Sequence, residues 1–126
     1  MTNIPPDLKY TESDEWFDPD SGRVGLTDYA QSQLSDVVFV EVVLAAGDTA
    51  EKGSAIASVE SVKAAAEVYS PVRGKVAAVN ENLSAAPEVL NSDPYGAGWM
   101  LQLEGADGSA LMDSASYEKY CASREH

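Results

Sequence analysis

The sequence predicts a mostly β fold, a flattened β-barrel or sandwich with short helices and one C-terminal helix. Three observations predict it. β-Branched and aromatic runs are short and recur between clusters of Gly, Pro, Asp and Ser, as in antiparallel β proteins. One apolar run, Val37-Val38-Phe39-Val40-Glu41-Val42-Val43-Leu44, is nearly continuous. Helical patterning is confined to brief stretches and to the end of the chain.

In chain order, Lys9-Tyr10-Thr11 and Trp16-Phe17 read as short strands, closed by the turn cluster Asp18-Pro19-Asp20-Ser21-Gly22. Arg23-Val24-Gly25-Leu26 is the next strand. Thr27 can cap a short helix over Asp28 to Leu34, with Asp28 favourable in its first turn. The run from Val37 to Leu44 is expected to be a central strand, or one covered on both faces. Ala46-Gly47-Asp48-Thr49 and Glu51-Lys52-Gly53 turn the chain into a hairpin. Lys75 to Asn80 is a strand, and Leu83 to Leu90 holds a short helix interrupted at Pro87. Trp99 to Leu103 is the final strand. A helix is expected over about 109–122, its apolar face made by Leu111, Met112, Ala115, Tyr117, Tyr120 and Cys121.

At 126 residues, 44% of them hydrophobic, the chain is expected to form one domain with a real core. No run is long enough for a membrane span, and no signal or transit segment opens the chain. A cytoplasmic protein is expected, or a mitochondrial matrix protein if this is a processed chain. The single cysteine, Cys121, excludes an internal disulfide and reads as a residue packed on the last helix. The one histidine is the terminal His126. That removes Cys/His metal clusters and Ser-His or Cys-His nucleophiles, and no catalytic residue or metal site is expected. No phosphate-binding loop or dinucleotide fingerprint occurs. A net charge of −13 repels nucleic acid and anionic membranes. It favours solubility and steering toward basic protein surfaces.

The residue that stands out is Lys63. The strand-like Ile56-Ala57-Ser58-Val59 leads into Glu60-Ser61-Val62-Lys63-Ala64, and Glu67-Val68-Tyr69 leads away to Ser70-Pro71. This reads as a β-hairpin with Lys63 at its tip. The chain has only eight lysines and arginines together, so a tip lysine is not a by-product of basic composition. The tip Val62-Lys63-Ala64-Ala65-Ala66 lacks the Gly, Asn or Asp of an ordinary solvated turn. A lone amine on a flexible stem suits a lysine that an enzyme modifies and that then swings.

Around this block the chain resembles the glycine cleavage H-protein family. The resemblance runs through Tyr10-Thr11, Glu15-Trp16, Val24-Gly25-Leu26-Thr27-Asp28-Tyr29-Ala30-Gln31, Val38-Phe39-Val40-Glu41, Gly47-Asp48 and Lys52-Gly53. It continues through Val59-Glu60-Ser61-Val62-Lys63-Ala64, Ser70-Pro71, Gly74, Val79-Asn80, Asn91, Asp93-Pro94-Tyr95 and Gly98-Trp99. It implies a single lipoyl-carrier domain over 1–126, of the lipoyl/biotinyl-carrier hammerhead type, with a core over about 8–105.

The resemblance implies a non-catalytic shuttle bearing lipoate in amide linkage on Lys63. Glycine decarboxylase, a pyridoxal phosphate enzyme, loads the lipoyl arm with the aminomethyl group of glycine. An aminomethyltransferase releases ammonia and passes the carbon to tetrahydrofolate. Dihydrolipoyl dehydrogenase, using FAD and NAD, reoxidises the arm. A lipoate-attaching enzyme is the fourth partner, and the carrier itself is a monomer. A five-membered dithiolane cannot reach the disulfide dihedral of roughly 85–100°, so it opens readily.

The resemblance also implies a cleft in which Ser13, Glu15 and Glu67 accept the ammonium of the loaded arm and keep water from it. It gives Glu60 and Gly74 a part in choosing the lysine to be lipoylated. Ordinary surface roles are the alternative, and for Gly74 a turn needing positive φ. The chain departs from the family at Asp14 and Tyr29, where histidine is usual, at Ser35, where glycine is usual, and at Val42-Val43, where Leu-Pro is usual. Two other functions compete: a lipoyl relay for 2-oxoacid dehydrogenases, whose lysines sit in an Asp-Lys-Ala setting, and an unmodified interaction module. A biotin carrier would show Met-Lys-Met.

Overall fold

The computed structural model describes residues 3–124. His126, excluded above as a catalytic base, lies outside the described residues. Nine strands and four helices follow in order among the described residues: β1 Lys9–Tyr10, β2 Glu15–Phe17, β3 Arg23–Leu26, α1 Asp28–Leu34, β4 Val37–Val42, β5 Thr49–Ala50, β6 Ala55–Ser61, β7 Ala65–Tyr69, β8 Gly74–Val79, α2 Asn82–Ala85, α3 Val89–Ser92, β9 Leu101–Glu104 and α4 Ser114–Arg124.

The strands form two antiparallel sheets, one ordered β1-β2-β3-β9-β8-β5 and the other β4-β6-β7. Neither closes into a barrel. Their inner faces share one core, to which Val24, Val76 and Leu101 come from the first sheet and Val40, Ile56, Val59 and Val68 from the second. Burying each such aliphatic side chain contributes about 1.5–3 kcal/mol, so the base of the β6–β7 hairpin is held firmly. A second, aromatic cluster joins Tyr10, Trp16, Tyr29 and Tyr117 under α4. Trp16 needs Gly25 opposite it, because a Cβ there would lie 2.8 Å from the indole nitrogen.

Thr27 caps α1 as its sequence suggests, its hydroxyl accepting from the Ala30 amide at 3.1 Å. Pro87 separates α2 from α3. Cys121 is buried on α4. Four sequence expectations are corrected. The Val37–Leu44 run is not central but the edge strand β4, leaving Val38, Phe39 and Val43 exposed by 56%, 44% and 55%. An apolar run reports burial potential, not how many neighbours a strand has. Thr49, read as the end of a turn, instead forms with Ala50 the short strand β5 against Lys75 and Gly74. The last strand starts at Leu101 rather than Trp99. Finally, α4 begins at Ser114, because Met112 pairs in β fashion with Tyr10 through bonds of 2.9 and 3.0 Å. Asp113 then caps the helix through the Ser116 amide at 2.8 Å.

The departures at positions 14 and 29 are one structural change. Asp14 Oδ1 takes a 2.6 Å ion pair from Arg124 at the end of α4, and the guanidinium lies 4.2 Å from the Tyr29 ring centroid on one contact and 4.2 Å from that of Tyr120 on another. The hydrogen bonds to Asp14 push the Arg124 proton affinity further up. Asp14, in the turn before β2, and Tyr29, on α1, thus both hold the end of α4. Ser35, the C-cap of α1, sits at φ 66°, ψ −150°, a conformation glycine tolerates far better. Ser35→Gly is therefore expected to stabilise the fold by about 1 kcal/mol, read as a raised urea midpoint at unchanged m-value.

Candidate functional site: the Lys63 hairpin

β6 and β7 pair in the register Ser58↔Glu67, Val59↔Ala66, Glu60↔Ala65. Val62, Lys63 and Ala64 are left to turn the chain, and Lys63 is exposed. The turn needs no Gly or Asn because none of its residues has positive φ. Ser61 supplies the bracing instead. Its hydroxyl oxygen accepts from the amides of Lys63 at 3.3 Å and Ala64 at 3.0 Å, and its own amide donates to the Ala64 carbonyl at 2.8 Å. The Val62 amide donates to the Asp36 carbonyl at 3.0 Å, tying the tip to the entry of β4. The backbone under Lys63 is thus fixed on both sides, and the freedom lies in its side chain.

The outer face of the hairpin sheet is acidic. Residues opposite one another in register share a face, so Glu41, Ser58 and Glu67 make one row, and Phe39, Glu60 and Ala65 the next. Glu60 therefore stands on the face beside the tip. Gly74 does not. It opens β8 in the other sheet, beyond the far end of β7, and its φ is not positive. A Cβ there would come within 3.1 Å of both the Glu104 carbonyl oxygen and the Leu103 side chain, so close packing explains this glycine.

Ser13 and Glu15 are brought together. Glu15 is 1% exposed; Thr11 and Ser13 hydroxyls each donate to its Oε1 at 2.6 Å, and the Tyr69 amide donates to Oε2 at 3.2 Å. Burial pushes this carboxyl above the usual range, and the three donors pull it partly back. Oε1 is engaged by the neighbouring hydroxyls, and Oε2 joins the first sheet to β7 through the Tyr69 amide. Glu67 is not part of this cluster. It is exposed on the outer face of β7. Beside Ser13 lies an open cleft of about 540 Å³ lined by Tyr10, Glu12, Lys52 and Met112. Lys52, given no role at the site by the sequence, gives that cleft an ammonium of its own. The sequence signal that could have found it is its rarity among so few basic residues.

A family model described as Glycine cleavage H-protein matches residues 8–124. The chain belongs to that family. The glycine cleavage system H protein of Listeria welshimeri is 52% identical over 122 residues, covering 93% of this chain and 97% of that one. That of Nocardia farcinica is 50% identical over 128 residues, covering 94% and 96%. A crystal structure of the H protein from Mycobacterium marinum superposes with a TM-score of 0.82 at 30% identity, covering 98% of this chain and all of that one. As an H-protein family member the chain is a lipoyl-carrier component of the glycine cleavage system rather than a catalyst. No helix among the described residues is long and apolar enough to cross a membrane.

Proposed function

We propose that this H protein carries lipoate on Lys63 and moves the aminomethyl group of glycine between the enzymes of the glycine cleavage system. The observation that carries the reading is a single exposed lysine on a hairpin tip whose backbone Ser61 and Asp36 hold still. Lipoate supplies a dithiolane that opens to take up a one-carbon amine and closes on oxidation. Everything else is the work of this chain. Lys63 offers the nitrogen for the amide, and its exposure admits a lipoate-attaching enzyme. Glu60, on the face beside the tip, gives that enzyme a carboxylate to read. Conversion to an amide removes the one cation of the hairpin and leaves its outer face wholly acidic.

Glycine decarboxylase, aminomethyltransferase and dihydrolipoyl dehydrogenase are the partners this reading requires. For the loaded arm, the exposed Glu67 is an available acceptor along β7. Glu15, buried and already accepting from three donors, serves by fixing the strand the arm lies near rather than by gripping it.

The test is intact mass after incubation with lipoate, ATP and a lipoate-attaching enzyme, and again after glycine and glycine decarboxylase. A lipoyl increment on Lys63 followed by an aminomethyl increment is expected. A lipoyl increment that never gains the second would favour a relay for 2-oxoacid dehydrogenases. No increment at all would overturn the carrier reading.

A further inference from the structure

The open edge of β4 carries a second feature that the lysine arm does not use. The Val43 amide donates to the Ile56 carbonyl at 2.9 Å, in step with the register Glu41↔Ser58 and Val42↔Ala57. In an antiparallel ladder hydrogen-bonded residues alternate. Phe39, Glu41 and Val43 therefore bond to β6, and the amides and carbonyls of Val40 and Val42 point away from it, toward the open edge. Edge strands in natural proteins are blunted by lysine or proline, by bulges or by a covering element; the bulge of β4 lies at its entry, between Val37 and Phe39, and leaves Val40 and Val42 in regular register. Neither lysine nor proline occurs from Val37 to Leu44.

The edge is not bare surface. It opens into a groove of about 510 Å³ whose opposite wall is Val79, Glu81 and Leu83, from the end of β8 and the start of α2. Its floor is apolar and its rim acidic, with Glu41 on one side and Glu81 on the other. No lysine or arginine lines it. Phe39 and Val43 are exposed beside it.

We propose that this groove takes an extended, basic and apolar segment of a partner protein, which adds to the sheet as a fourth strand beside β4. Main-chain bonds to Val40 and Val42 give affinity, alternate apolar side chains enter the groove, and lysines or arginines between them meet Glu41 and Glu81. The charge argues for this occupant over a second copy of the chain, since two chains of net charge −13 would bring acidic edges together. Because β4 runs from Asp36 at the tip to Val40 and Val42 beside Val59 and Ala57, a segment seated here holds its partner on the hairpin that carries Lys63. That use rests on the carrier reading; the binding itself does not.

The test uses the full, isotope-labelled chain with Lys63 unmodified, titrated with an alternating Lys-Val heptapeptide capped at both ends and followed by amide NMR shifts. Saturable shifts are expected at residues 39–45 and 79–84. Val42→Pro removes an outward amide without touching a β6 bond and is expected to weaken binding about tenfold, the loss of one main-chain bond. A fully N-methylated peptide, which leaves the protein unaltered, is expected not to bind, and added salt is expected to weaken the parent peptide. Absence of saturable shifts, undiminished binding of the methylated peptide, or a concentration-dependent homodimer abolished by Val42→Pro would each overturn the proposal. The outcome is independent of whether Lys63 accepts lipoate.

Discussion

Lys63→Arg is expected to abolish carrier function while leaving the fold intact. Arginine keeps the charge and the length, but its guanidinium remains protonated and is not acylated under enzymatic conditions. Lys63 is exposed, and only its main chain takes part in the tip, where its amide donates to Ser61. The variant should therefore unfold at the same denaturant midpoint as the parent, within about 0.5 kcal/mol. It should gain no lipoyl mass and support no measurable glycine cleavage when combined with the three partner enzymes. Residual lipoylation at another lysine would show that the tip does not select the site. The remaining lysines, at positions 9, 52, 75 and 119, lie on no comparable hairpin end.

Glu15→Ala is expected to destabilise the protein by about 2–4 kcal/mol, the range for removing a buried acceptor whose partners then lack one. Three donors lose their acceptor at once, the Tyr69 amide among them. Glu15→Gln keeps an oxygen for Tyr69 and an amide group that the Thr11 and Ser13 hydroxyls can accept from, so it is expected to lose no more than about 1 kcal/mol. The two variants also separate structure from charge. Burial raises the folded-state affinity of Glu15 for its proton. A group raised in this way stabilises the fold fully below its unfolded value, about pH 4, and its contribution is withdrawn as pH rises through the folded value. The stability difference between wild type and Glu15→Gln should therefore favour wild type most near pH 4 and shrink toward neutrality. Urea unfolding across that window measures it. A difference that grew with pH would mean that the hydrogen bonds outweigh burial.

Local signals were legible where one residue type has one physical use. Thr27 marked the start of α1 because a hydroxyl before a helical pattern meets the N3 amide. The Lys63 hairpin was legible because its two strands are short, β-rich and bounded by turns. What sequence could not show was adjacency. The apolar run of β4 reads the same in the middle of a sheet as at its edge, and only the order β4-β6-β7 distinguishes them. The helical pattern after Ser109 runs past the true start of α4 at Ser114, because nothing in the local sequence shows that Met112 pairs with Tyr10. The cluster at Ser13 and Glu15 was half legible. Their two-residue spacing brings them together, but the Tyr69 amide, 54 residues away, decides what the carboxylate does. Glu67, grouped with them by resemblance, faces elsewhere. Asp14 and Tyr29 looked like two unrelated departures until Arg124 joined them.

The bracing of the tip by Ser61 and Asp36 has a geometric consequence for every enzyme the carrier visits. A hinge that does not travel makes the reach of the arm a constant radius about one point. The three proposed partners then cannot tune access by letting the carrier bend. Each must place its reacting centre within that one radius of the hairpin tip, however different its chemistry. The dimensions of their entrances are in that sense bounded by two residues of this chain, Ser61 and Asp36.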